Sequence, residues 1–158
     1  MAVAPEEGQQ RFQTALSLIR QGWGTDLPAY RQFFTSLFMP DADAEAIRQF
    51  NEMQRISASP ENAAALLSGI RDTDVSGLLS QMKVPTLVAH CRGDAIVPFE
   101  AGRELAAGIP GARFLPLDSR NHAILPHEPA AEALGKAVEE FLGEGTLHGD
   151  SAFQGAAR

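Results

Sequence analysis

Cysteine occurs once in the 158 residues, at Cys91. That excludes an intramolecular disulfide framework and a cysteine-rich zinc site, and it fits a reducing compartment. Basic residues are scarce, with 13 Lys and Arg against 20 Asp and Glu and a formal net charge of -7. No cluster of Lys or Arg offsets this balance, so neither nucleic acid nor an anionic membrane surface is expected as a partner. No apolar run approaches the length needed to span a membrane. The opening MAVAPEEGQQ has neither the basic nor the apolar region of a signal peptide. The expectation is a cytoplasmic protein.

What remains is ordinary globular material. The chain is 44% hydrophobic and 21% charged, close to the average for folded proteins. Its length fits one domain with a real core, and two full domains would be a squeeze. From Arg11 to Ser80 apolar residues recur at spacings of three and four, as at Phe12, Leu16 and Ile19, then Phe33 and Leu37, then Ile47, Phe50 and Met53. This predicts helices, broken by GWGTDLP at residues 22–28, MPDAD at 39–43 and SASPEN at 57–62. Ser59 is placed to cap a helix that has Pro60 at its first position. A short helix is expected after Asp74. The Trp23, Tyr30, Phe33, Phe34, Phe38, Met39 and Met53 set is read as helix packing, with an apolar acyl-type pocket as the alternative.

The pattern changes near Val84. TLVAHC, with Pro85 just before it, is a short and nearly continuous apolar run, the signature of a strand covered on both faces. A helix from Glu100 to Ala107, a strand in ARFLPLDS at residues 112–119 and an amphipathic helix from Pro129 to Leu142 follow. The remaining residues, 144–158, lack periodicity and are read as a flexible tail.

A strand-helix-strand unit in one sheet has parallel strands, whose carboxyl ends share the edge where open α/β sheets bind ligands. Asp94 lies just beyond the first strand and His122 just beyond the second. An Asp that accepts from one imidazole nitrogen fixes the tautomer, leaving the other nitrogen to take a proton from a nucleophile. Taken singly, Asp94 after Arg-Gly reads as a turn former or helix cap, and a lone His reads as structural. Their common position at matching strand ends makes them a candidate acid-base pair.

VPTLVAHCRGDAIVP, AGRELAAGIPGARFLPLDSRNHAILPHEP and AAEALGKAVEEFL together resemble the last two strands and helices of the α/β-hydrolase fold. The resemblance implies that Asp94 is the acid and His122 the base of a Ser-Asp-His triad, with Asn121 where Gly is most common. LIRQGWGTDLPAYRQFFTSLFMP resembles the cap of bacterial hydrolase-like proteins, some of them fused to LuxR-type regulators or nucleotide cyclases. The expected fold is α/β, a partial α/β-hydrolase fold. It has a helical cap-like segment over residues 1–82, a β-α-β-α unit with two parallel strands over 83–143, and the tail. The implied reaction is hydrolysis of an ester, lactone or similar acyl compound, with a small-molecule substrate and no cofactor.

The nucleophile that the resemblance calls for, a serine in G-x-S-x-G before the acid, is missing from these residues. Ser151, in GDSAF, follows His122 and has no glycine two positions after it. Cys91, at the end of a buried strand, is read as an inert thiol. A two-stranded parallel unit also leaves edges uncovered and is not expected to be stable alone. The expected cover is an amino-terminal half, self-association into a homo-oligomer, or the preceding helices. The chain alone is expected to be inactive. The alternative reading is a non-catalytic ligand-binding, regulatory or oligomerisation module derived from the fold.

Arg92-Gly93-Asp94 also matches cell-adhesion tripeptides, a role that the missing secretion signal disfavours. His90, His127 and His148 show no metal-ligand spacing, and His127-Glu128-Pro129 reads as the opening of the last helix, with the acid favouring its amino-terminal end.

Overall fold

The computed structural model describes the backbone over residues 6–149 and the side chains over residues 8–143. The chain falls into two compact units, the first ending at Val75 and the second beginning at Ser76.

The first unit is helical: α1 (Glu6–Gly22), α2 (Ala29–Phe38), α3 (Ala44–Ser57) and α4 (Pro60–Asp72). The breaks fall where the turn chemistry predicts them. Asp43 caps α3 by accepting from Ala46 N, and Ser59 caps α4 by accepting from Asn62 N, with Pro60 at the first helical position. Leu16, Ile19, Trp23, Phe34, Ala63 and Ala64 form the core. Trp23 and Phe34 meet edge to face at 5.5 Å, and the Trp23 indole N–H donates to Ala58 O. Packing is thus the role of the buried aromatics, while Phe33 and Met53 are exposed.

Arg31 is buried, and no sequence pattern announced it. Its guanidinium donates to the backbone oxygens of Trp23, Thr25 and Asn51, at 2.6, 2.7 and 3.1 Å. One planar fork thereby satisfies two carbonyls left over where α1 ends and ties them to a carbonyl of α3. Beside it, Thr35 donates to Asn51 Oδ1 and accepts from Gln54 Nε2, joining α2 to α3.

The second unit opens with a 3-10 helix (Ser76–Gln81), followed by β1 (Leu87–Cys91), α5 (Phe99–Gly108), β2 (Arg113–Leu117) and α6 (Pro129–Gly149). The 3-10 helix packs on α5, where Leu79 lies so close to Gly108 that an added Cβ would meet its Cδ1 at 2.7 Å. That contact draws Ser76–Gln81 into this unit, although the composition changes only near Val84. α6 also runs beyond Leu142, because the glycines after it are weak stops. The segment read as a flexible tail over residues 144–158 therefore begins inside a helix, and residues 150–158 lie outside the described residues.

β1 and β2 pair in parallel, with Leu87 opposite Arg113 and Cys91 opposite Leu117. α5 covers one face, where Phe99 meets His90 and Phe114. α6 covers the other, with Ala130 and Leu134 against Cys91, Leu115 and Leu117. Among the described residues, helices cover the faces and no strand covers either edge. Arg113 N donates to Thr86 O and Arg92 N to Leu117 O, so the odd-numbered residues of β2 bond to β1. Pro116 therefore sits on the outer edge of β2, where its missing N–H blunts further pairing. The outer edge of β1 carries the backbone groups of Leu87, Ala89 and Cys91. Among the described residues no strand adjoins it.

Candidate active site

The loops after β1 and β2 are joined by backbone. Arg92 N donates to Leu117 O at 2.9 Å, and Gly93 N to Ser119 O at 3.0 Å, carrying the strand pairing past the strand ends. A Cβ on Gly93 would meet the Arg120 Cγ at 2.8 Å and the Ser119 O at 3.2 Å, so the approach requires glycine.

Asp94 follows at once and uses its two oxygens differently. Oδ1 accepts from Ile96 N at 2.8 Å and Val97 N at 3.0 Å, the turn-forming role. Oδ2 lies 2.6 Å from His122 Nδ1, a contact that fixes the ring's orientation. One side chain thus forms the turn and meets the imidazole. Burial alone would raise its pKa, but the hydrogen bond from His122 and the N–H groups of Val97 and Ile96 outweigh burial and hold the carboxyl below its ordinary range. An ionised Oδ2 can only accept, so His122 Nδ1 carries the proton. The Asp94 side chain is 4% exposed and the His122 ring 37%, a buried acid supporting an accessible imidazole.

His90, set aside in the sequence, stands on the α5 side of the same loop. Its Nε2 is 3.0 Å from Val97 O and 3.6 Å from Asp94 Oδ2. Val97 O only accepts, so Nε2 is protonated and ties the end of the loop back to β1. The ring fits because residue 102 is glycine, where a Cβ would fall 2.3 Å from His90 Nδ1. An isolated glycine inside a helical pattern was the available signal.

Glu128 stands at the opening of α6 as its sequence reading expects, and makes further contacts besides. Its carboxylate turns back into the His122 loop. Oε2 accepts from Ser119 Oγ at 2.5 Å, and Oε1 accepts from Asn121 Nδ2 at 2.8 Å and Leu125 N at 2.6 Å. Burial would raise its pKa, and these three donors together lower it.

A concavity of about 240 Å³ opens over the pair, lined by His90, Cys91, Asp94, His122, Leu117 and Ile124 among others. Cys91 is 4% exposed, and burial, reinforced by the Asp94 carboxylate, pushes its thiol above the ordinary range. It is a poor nucleophile there. A larger concavity of about 450 Å³ in the first unit is lined by Arg20, Glu61, Ser68 and small residues, with no histidine or cysteine. Among the described residues no cluster of three or more His, Cys, Asp or Glu is arranged to hold a metal ion. Ser151, with residues 150–153 of GDSAF, lies outside the described residues. Among those described, no helix is long and apolar enough to cross a membrane.

Two parallel strands with a helix on each face, and an acid and an imidazole meeting beyond their carboxyl ends, are the arrangement of a partial α/β-hydrolase fold. The family model described as TAP-like protein, an α/β-hydrolase family, matches residues 59–152. An AB hydrolase superfamily protein of Bacillus subtilis is 29% identical over 111 residues, covering 70% of this chain and 39% of that protein. A putative carbamate hydrolase of Rhizobium rhizogenes is 32% identical over 81 residues, covering 51% of this chain and 30% of that protein. Among solved structures, an esterase from Exiguobacterium antarcticum superposes with a TM-score of 0.70 at 19% identity, covering 84% of this chain and 48% of that one. The chain belongs to the TAP-like protein family of α/β-hydrolases. It spans two fifths or less of the length of these curated relatives and about half of the solved structure.

Proposed function

We propose that this chain is the cap and carboxyl-terminal part of a serine hydrolase acting on an ester, lactone or related acyl bond. Asp94 is the orienting acid and His122 the general base, and the helices before β1 are the cap. The observation that carries the reading is the 2.6 Å contact between His122 Nδ1 and Asp94 Oδ2 at the carboxyl edge of a parallel sheet. The relatives described as esterase and putative carbamate hydrolase support the reaction class.

In this reading the nucleophilic serine lies outside these 158 residues, on further chain or on a partner. The serine oxygen bonds to the acyl carbon while His122 Nε2 takes its proton. The protonated ring, held by ionised Asp94, then gives that proton to the leaving group. Water resolves the acyl-enzyme by the same route. The outer edge of β1, unlike the proline-blunted edge of β2, is where a strand of the nucleophile-bearing part would join. The test is hydrolysis of p-nitrophenyl butyrate by the purified 158-residue chain. No turnover above that of His122→Ala is expected, and efficient His122-dependent turnover would place the nucleophile within this chain.

The open β1 edge, together with the absence of G-x-S-x-G from these residues, favours a second reading: a regulatory, ligand-binding or oligomerisation module in which the pair is ancestral. That reading requires a mass that rises with concentration, or saturable small-molecule binding that survives Asp94→Asn.

A further inference from the structure

The His122 loop, between β2 and α6, belongs to no helix or strand; backbone bonds tie it at Ser119 O and Leu125 O, and side chains contribute to holding it. Three donors from this loop converge on one carboxylate: the Ser119 hydroxyl, the Asn121 amide and the Leu125 backbone N–H, all on Glu128. They stand three residues before His122, one before it and three after it. Ser119 Oγ also accepts from Asn121 N at 3.0 Å, which closes the cluster, and Asn121 is fully buried.

We propose that Glu128 is a positioning residue for His122, clamping its loop on both sides and thereby setting the Nδ1 contact with Asp94. A carboxylate is the side chain that accepts from several donors at once while offering none. Gln keeps the shape but replaces one accepting oxygen by an NH2 group, which cannot accept. The clamp also reaches the acid, because Ser119 O accepts from Gly93 N, one residue before Asp94. A charge that served only to favour the start of α6 would need none of these three contacts. This inference rests on the reading of His122 as the base.

The experiment is made on the 158-residue chain without substrate. With the imidazole nitrogens labelled, the His122 Nδ1 proton is observed by nuclear magnetic resonance, assigned through its loss in His122→Gln, and its exchange with water is timed. Glu128→Gln is expected to accelerate that exchange at least tenfold while the amide protection of Val88 and Leu115 in the paired strands is unchanged. Ser119→Ala, which removes one donor and keeps the carboxylate, is expected to give an intermediate acceleration. Glu132→Gln, an exposed acid on α6, is expected to give none.

Exchange in Glu128→Gln within twofold of the unaltered chain would overturn the proposal. So would an acceleration matched by equal loss of Val88 and Leu115 protection, which would make Glu128 a general stability residue. Should Glu128→Gln not fold, Ser119→Ala decides, and unchanged exchange in that variant counts against the clamp. An unaltered chain with no protected Nδ1 proton would remove the contact itself and the proposal with it. The base assignment fails on a different readout, a nucleophile that remains reactive in His122→Ala.

Discussion

Gly93 and Arg120 stand back to back, so close that a Cβ on Gly93 would lie 3.1 Å from the Arg120 Cα. The loop that carries the acid and the loop that carries the base are thus joined by the Gly93 N–H bond to Ser119 O, at a contact too close for a side chain on residue 93. Gly93→Ala should push the loops apart and cost about 1–3 kcal/mol, as overpacking of a tight contact does. Urea unfolding of the second unit measures the cost. The His122 Nδ1 proton should exchange faster in the same variant.

Asp94 sets an acid limit on stability. Its folded carboxyl lies below the ordinary value, so its contribution is present above about pH 4. That contribution is lost as pH falls through the lowered folded value, where the unfolded state binds the proton first. Asp94→Asn should flatten the decline, as followed by thermal unfolding between neutral pH and pH 3. Glu128, also lowered, has the same sign and should account for part of the slope that remains.

Two glycines within helices should respond in opposite directions to alanine. Gly102→Ala drives a Cβ to 2.3 Å from His90 Nδ1 and should destabilise the second unit by about 1–3 kcal/mol. Gly135→Ala meets nothing within 4 Å on α6 and should stabilise by about 0.5–1 kcal/mol, from helix propensity alone. Paired thermal melts check both signs. Equal shifts would contradict the packing of His90 on α5.

Cys91 should be slow to alkylate. It is 4% exposed and its thiol is raised above the ordinary range, so little thiolate meets the reagent. Iodoacetamide at neutral pH should react with the folded chain on the order of 100-fold or more slowly than with the chain in urea. Comparable rates would reopen the thiol as a nucleophile.

Much of this architecture is legible in the residues. Ser59 and Pro60 announce the start of α4, and the compact apolar run before Cys91 announces β1. Asp94 and His122 are legible as a pair because parallel strand ends bring distant residues to one edge. Glu128 is not, since its three donors meet it only through the path of the loop, and its place before Pro129 already had an adequate helix-end explanation. Arg31 is likewise silent, because backbone carbonyls, which leave no mark in a sequence, are what it satisfies. His90 is not read from the sequence: it is weighed there only as a metal ligand, and the glycine that makes room for its ring, Gly102, lies inside a segment read simply as helix.

The most direct test of the central claim is labelling of the native protein by a fluorophosphonate, which reacts with an activated serine whatever the substrate. An antibody against this chain would capture the product from its source cells, with and without His122→Ala at the native locus. The account predicts a labelled serine on the captured polypeptide, or on one held with it, and loss of that label in His122→Ala. A captured protein that takes no label, or takes it undiminished without His122, would contradict the assignment of Asp94 and His122 as the acid-base half of a serine hydrolase.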